Sequence, residues 1–213
     1  MQHYGRGEVA LAVTLSGVAG YVDAIGFLKL GGFFVSFMSG NSTRLGVALA
    51  TAHWAAALTV FGLVTAFVTG VVLGALTARA FGEERRSPVL ILEATLLAVG
   101  AILLALGHDR AGIAAVAMAM GAENAVFQRN GDVVVGLTYM TGALVKAGQR
   151  IAGALVGREP RDWLRYVLLW TGLASGGALG ALAYLTVGAA SLWVAVTMVL
   201  GGALWAERRW RSV

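Results

Sequence analysis

A ten-residue polar motif interrupts the apolar sequence twice, as Phe37-Met-Ser-Gly-Asn-Ser-Thr-Arg-Leu-Gly46 and as Tyr139-Met-Thr-Gly-Ala-Leu-Val-Lys-Ala-Gly148. Aromatic, Met, hydroxyl, Gly, basic and Gly positions coincide at a constant offset of 102. Upstream, Gly20-Tyr-Val-Asp23-Ala24 corresponds to Gly121-Ala-Glu-Asn124-Ala125 at an offset of 101. Downstream, Thr69-Gly70-Val-Val-Leu73-Gly74-Ala75-Leu76 corresponds to Ser175-Gly176-Gly-Ala-Leu179-Gly180-Ala181-Leu182 at an offset of 106. The chain reads as a duplicated half, 8–107 followed by 111–208. A period this long, repeated only twice in apolar sequence, is the internal symmetry of many transporter and channel folds and not that of a solenoid.

Composition places such a chain in a bilayer. With 58% hydrophobic residues, 13% charged residues and a mean hydropathy of +0.78, it has too little polar surface to cover a water-soluble globule of 213 residues. Apolar stretches run at 8–28, 33–52, 54–78, 89–107, 111–128, 132–156, 163–186 and 189–206. Their length and lack of alternation predict helices, since a membrane strand needs only about 10 residues of alternating polarity. The expected class is an all-α integral membrane protein, one membrane domain over 1–213. The first run continues through Asp23 into the repeated motif and reads as a retained helix, not a cleaved signal. No cysteine is present, which excludes disulfides and thiolate chemistry. His3, His53 and His108 stand far apart at predicted helix ends, so no metal and no cofactor is expected.

Six stretches read as plain spanning helices; 33–52 and 132–156, which carry the motifs, do not. If those two enter and leave on one side, each half crosses three times and the second half is inverted. If all eight cross, the halves are parallel. Basic residues favour six crossings, because cytoplasmic loops retain Lys and Arg. With both termini inside, six crossings leave only Lys29, Arg44 and Arg110 outside. Arg6, Arg79, Arg85, Arg86, Arg129, Lys146, Arg150, Arg158, Arg161, Arg165, Arg208, Arg209 and Arg211 then lie on the cytoplasmic side. Eight crossings give a weaker bias, eleven against five. The expectation is therefore two inverted three-crossing halves, each with a broken or re-entrant polar segment. Pro88 and Pro160 precede apolar runs, as helix-start prolines do, so any break falls to glycine: Gly31-Gly32, Gly40, Gly131, Gly136 or Gly142. Gly40 is expected to end an unwound entry, with Ser39 or Asn41 capping a short helix.

Arg44 lies near the middle of its run, where a lipid-facing charge costs about 2.5–3.5 kcal/mol, so it must face protein or water. Lys146 repeats that placement. Asp23 and Glu123 lie deep in the first and fifth runs and are candidate solute- or proton-binding carboxylates. The plainer reading makes them structural ion pairs, Asp23 with Arg44 and Glu123 with Lys146. Ser39, Gly40, Asn41, Asn124, Tyr139, Thr141 and Gly142 complete the candidate set. Two Ser/Thr-Gly corners near the midplane would present helix N-termini, which favour an anion or a small polar solute. The first half is the more polar, since Asn41, Ser42 and Thr43 give way to Ala143, Leu144 and Val145, so a single site is expected nearer the first motif. Glu93, five residues after Pro88, reads as a carboxylate of the first helical turns and not as a site. The ladders Ala66, Gly70, Gly74 and Gly172, Gly176, Gly180 suit close backbone approach, either between the halves or in a homodimer.

Gly20-Tyr-Val-Asp23-Ala24, Phe34-Val-Ser-Phe-Met-Ser-Gly-Asn41-Ser42, Gly121-Ala-Glu-Asn124-Ala125 and Leu137-Thr-Tyr-Met-Thr-Gly142 together resemble the motifs of the YoaK-type bacterial membrane proteins, a family with no assigned function. Where that family usually shows Thr and Gln, this chain has Ser39 and Glu123. The resemblance spans nearly the whole chain and implies a small multi-spanning inner-membrane protein; it implies no substrate, cofactor or catalytic residue. The residues themselves show no phosphate loop, His-Glu-x-x-His or nucleophile elbow, so an enzyme is not expected. The net charge of +5 reflects loop bias and not a nucleic-acid surface, and anionic headgroups are the expected partners of the basic clusters at 158–165 and 208–211. The expected function is a small transporter or facilitative channel for a small polar or anionic solute. The competing expectation is a membrane interaction or sensing module whose polar interior only locks the fold.

Overall fold

Long runs of Leu, Val and Ala without internal proline make helices, and in a bilayer each must satisfy its own backbone. The computed structural model describes residues 5–129, 132–133, 136–157 and 163–210, the side chains of 129, 132, 133 and 210 excepted. The α-helices among them are α1 (Arg6–Lys29), α2 (Met38–Ala50), α3 (Trp54–Phe81), α4 (Arg86–Ala105), α5 (Asp109–Glu123), α6 (Met140–Leu155), α7 (Leu164–Val187) and α8 (Leu192–Trp210). A two-residue antiparallel ladder joins Gln128–Arg129 to Asp132–Val133. Gly131, Arg158, Pro160, Arg161, Arg211 and His3 lie outside the described residues.

Helical stretches long and apolar enough to span a membrane are Arg6–Lys29, Trp54–Glu84, Arg86–Ala105 and Leu164–Arg209. The last contains two helices, α7 and α8, joined by a 3-10 turn at Gly188–Ser191. Gly188 adopts φ +61 and Gly82, which ends α3, adopts φ +54, a left-handed conformation that only glycine holds without strain. These two residues are 106 apart, the same offset as the ladders before them. α5 has only 15 residues, but Ala115, Val116, Ala117, Ala119, Met120 and Ala122 are buried, so it is sheathed by the other helices.

The glycine ladders set the packing. α1 runs parallel to α7, and α3 runs parallel to α5, with backbones in direct contact. A methyl group at Gly176 would overlap the Gly17 carbonyl, one at Gly180 the Tyr21 carbonyl, and one at Gly20 the Leu173 carbonyl. In the other seam, the carbonyls of Met118, Ala122 and Phe67 stand against Gly70, Gly74 and Gly121 in the same way. The offsets 101 and 106 convert each contact of one seam into its counterpart in the other. Glycines of both ladders are thus engaged within one chain, α7 against α1 and α3 against α5.

Interhelical contacts also fix direction. At one end, Arg86 of α4 pairs with Glu8 of α1, and Arg85 donates to the Gln128 carbonyl just beyond α5. At the other end Lys29 of α1 pairs with Asp109 of α5 at 2.9 Å. α1 and α5 therefore run in opposite directions, as do α3 and α7. α2 leaves the loop after α1 and returns to the Lys29 end, where α3 begins; α6 returns to the opposite end, where α7 begins. Single cysteines at His53, His108 and Glu83 test this directly, since all three side chains are exposed. An impermeant thiol reagent is expected to label 53 and 108 from one face and 83 from the other; identical labelling of all three would remove the arrangement.

Candidate functional site

The first motif is entered through irregular chain at 31–37, which turns against Asp23. Asp23 Oδ1 accepts the Val35 and Ser36 N–H groups at 2.7 and 2.8 Å, and Oδ2 accepts the Ser36 hydroxyl at 2.9 Å. Asn41 closes the loop from the other side: its Oδ1 accepts the Phe34 N–H at 3.0 Å and its Nδ2 donates to the Phe34 carbonyl at 2.7 Å. Val35 packs against Gly26 of α1, where an added methyl would lie 2.7 Å from its Cγ1. Buried backbone that leaves a helix must find partners, and these two side chains supply them.

Three expectations need correction here. α2 begins at Met38 with Phe37 as its N-cap, and Phe37 provides no side-chain hydrogen bond, so neither Ser39 nor Asn41 caps it. Gly40 sits inside the first turn against the Phe37 and Phe34 rings instead of ending the entry. Asp23 does not pair with Arg44. The Arg44 guanidinium stands among three aromatic rings, 5.8 Å from the Phe27 centroid, 5.5 Å from Phe33 and 5.8 Å from Phe34. Cation–π contact there replaces the ion pair, because the carboxylate is already taken by the loop.

The second motif repeats the plan more loosely. Thr138, the counterpart of Ser36, donates to Asn124 Oδ1 across 3.5 Å, and Asn124 Nδ2 bonds back to the Met120 carbonyl of its own helix at 3.0 Å. Ser16 of α1 reaches this loop: its hydroxyl lies 3.2 Å from the Leu137 carbonyl and 3.7 Å from Met140 Sδ, with the Leu169 carbonyl of α7 a second acceptor for its one proton at 3.1 Å. Tyr139 caps α6 without a side-chain hydrogen bond, and Gly142 lies against its ring. Tyr139, Thr141 and Lys146 are exposed, as is Ser39 in the first motif.

Both loops converge on one helix. Ser16 and Asp23 are seven residues apart, two turns at 3.6 residues each, so they share a face of α1 about 10 Å apart along its axis. The loop tips therefore reach the middle of α1 from opposite ends, each followed by a helix whose first N–H groups lack intrahelical acceptors. Beside Asp23 a cavity of about 440 Å³ opens between α1 and α7, lined by Gly20, Asp23, Phe27, Phe34, Leu173 and Gly177. Asp23, Asn41 and Arg44 meet around Phe34; Asn124 belongs to the second loop.

Glu123 belongs to neither cluster. It faces α4, where its electrostatic partner is Glu93, and not Lys146. The reading of Glu93 as a first-turns dipole group is overturned: it stands eighth in α4 and is fully buried. Its sequence signal was a carboxylate within Val89-Leu-Ile-Leu-Glu93-Ala94. The anchors Ser16 and Ser36 were also missed, although Ser36 lies 102 residues before Thr138 and so falls in register with the repeat.

Residues 11–205 match the family model described as "Protein of unknown function (DUF1275)". The "UPF0700 transmembrane protein RA0705" of Rhizobium meliloti (strain 1021) is 35% identical over 207 residues, covering 96% of this chain and 89% of the relative. The "UPF0700 transmembrane protein YoaK" of Bacillus subtilis (strain 168) is 28% identical over 198 residues, covering 86% and 87%. No solved structure matches.

Proposed function

This chain belongs to the DUF1275 family of membrane proteins, and within that frame we propose that it is a small transporter or facilitative channel for a small polar or anionic solute. The observation that carries this reading is the convergence of two re-entrant loop tips on the Ser16–Asp23 face of α1, each backed by a helix without a side-chain cap. Non-helical backbone at such depth is tolerated in membrane proteins where it is buried or lines a solute path, and free helix N-termini favour anions. The exchange of contacts between the two glycine seams supports an inverted repeat of 8–107 and 111–208. The basic bias supports an inner-membrane orientation with both termini cytoplasmic. The solute site lies nearer the first motif: Arg44 offers guanidinium N–H groups beside the Phe27 and Phe34 rings that line the cavity. Asp23 and Asn41 hold the loop in shape for it. Ser39, Gly40, Thr141, Gly142, Tyr139 and Lys146 line the approaches, with Asn124 bracing the second loop.

The test is stopped-flow light scattering of proteoliposomes challenged in turn with formate, acetate, inorganic phosphate and glycerol. One of the anions is expected to enter at least tenfold faster than into protein-free vesicles, and Arg44→Ala is expected to remove that acceleration while the protein keeps its thermal unfolding midpoint. No acceleration with any of the four would set the reading aside. The full engagement of both Asp23 oxygens favours the second reading, a non-transporting interaction or sensing module. On that reading, Arg44→Ala lowers the unfolding midpoint and no solute moves.

A further inference from the structure

Glu93 and Glu123 are the two charged side chains with no exposure among the described residues, and none of their four carboxyl oxygens has a hydrogen-bond partner there. α4 and α5 run antiparallel in contact. Gly100 meets Gly112 and Val116, so seven residues back along α4 Glu93 comes level with the C-terminal turn of α5, where Glu123 stands. The two carboxyl groups interact electrostatically across this seam. Around them are Val89, Leu90, Ala94, Leu97, Met120 and Phe127, all buried.

Among the described residues, neither carboxyl group forms an ion pair with a cation. On α4 itself, Arg86 is paired with Glu8 of α1 and lies 5.9 Å from the Phe127 ring, while Arg85 donates to the carbonyls of Gln128 and Gly82. α8, packed against α4, brings Glu207, Arg208 and Arg209 only at its end. α3, packed against α5, carries Arg79 near its end. α1 carries Arg6 and Glu8 near its start and Asp23 and Lys29 toward its other end. Two carboxylates cannot both remain charged in such surroundings, since desolvation and mutual repulsion act in the same direction.

We propose that Glu93 and Glu123 form a proton-binding site, in which the Oε–H of one carboxyl group donates to an Oε of the other. The proton comes from water at the Glu8–Arg86 end, about 10 Å away at 1.5 Å per residue from Glu93 to Arg86. Phe127, with Arg86 over its ring, closes the site toward that end. The site stands apart from the Asp23 loop, and the first half has no counterpart, because Val22 occupies the position equivalent to Glu123. As a bound proton it does not depend on the transport reading. Absence of solute flux would leave it standing, and its loss would leave the solute site untouched.

Infrared spectroscopy of the full chain in lipid nanodiscs at neutral pH tests it. A protonated-carboxyl C=O band is expected, shifted in heavy water, displaced in frequency in Glu93→Gln and in Glu123→Gln, and lost in the double variant. Absence of that band from the wild-type protein at neutral pH overturns the proposal without any variant having to fold. A band that disappears when sodium chloride replaces choline chloride at constant pH also overturns it, in favour of a monovalent cation site. Persistence of the full band in a folded double variant overturns the assignment to these two residues.

Discussion

Gly70→Leu is expected to abolish recovery of folded protein, whereas Gly62→Leu, in the same helix, leaves it intact. At Gly70 the α3 backbone touches the α5 backbone, and a side chain would occupy the space of the Met118 carbonyl, Cα and carbonyl carbon. Those atoms have no rotamer to change, so the helices would have to separate along a seam that also includes Gly74 and Gly121. Overpacking a core usually costs about 1–3 kcal/mol, and a displacement of backbone from backbone lies at or beyond the top of that range. At Gly62 nothing lies within 4 Å of an added Cβ. There the better helix propensity of Leu is worth up to about 1 kcal/mol. Gly176→Leu should reproduce the Gly70 result, because its side chain would occupy the space of the Gly17 carbonyl and Cα in the same way. The unfolding midpoint in detergent and the monodisperse fraction on size exclusion read the outcome. Equal behaviour of the Gly70 and Gly62 variants would mean that the α3–α5 seam is not packed backbone to backbone.

Asp23→Ala carries the second large effect, and its contrast with Asp23→Asn separates anchoring from charge. Alanine leaves the Val35 and Ser36 N–H groups and the Ser36 hydroxyl without their acceptor. Each such loss in a buried setting costs about 1–3 kcal/mol, so the variant should lose about 3 kcal/mol or more. Asparagine keeps an oxygen for both N–H groups and turns its amide toward a hydroxyl that can accept, so its cost should stay within about 1 kcal/mol. Thermal unfolding, with protease cutting at the Phe33–Phe37 loop as a local readout, distinguishes the two. Equal destabilisation by Ala and Asn would show that charge, and not the acceptor geometry, holds the loop. The second loop offers an internal comparison, since Asn124 already stands where Asp23 would be and its bond from Thr138 is long, at 3.5 Å.

The match between expectation and structure varies with the kind of interaction. The interruption of helix at both motifs was legible because Gly-rich polar sequence in an apolar run has few structural solutions. The starting point of α2 was not, because the loop is closed by Asp23, which belongs to another helix, and by Asn41 turning back to Phe34. A preference for Ser or Asn as N-cap is a local rule, and Phe37 takes that place once distant groups satisfy the entry backbone. The pairing of Asp23 with Arg44 failed for a related reason. Opposite charges placed by analogy along a repeat meet only if neither has a better partner, and here the carboxylate has three donors and the guanidinium three rings. Glu93 was passed over because its distance from Pro88 suggested an exposed helix start, whereas α4 packs against α5 and α8 and is already buried at Val89 and Leu90.

Length, hydropathy and the repeated glycines were enough to place the chain in a membrane, to locate its helices and to mark the positions where backbones come close. Those properties depend on local composition and period, and each stretch of sequence carries them without reference to the rest. Which backbone meets which glycine depended on the folded chain. So did the choice of ligands for the Asp23 carboxylate and the placing of Glu123 beside Glu93. These partners lie from a dozen to more than a hundred residues apart, and several arrangements satisfy the same apolar pattern. Only the combined fit of all the helices selects one, because close packing leaves no room for a second set of neighbours.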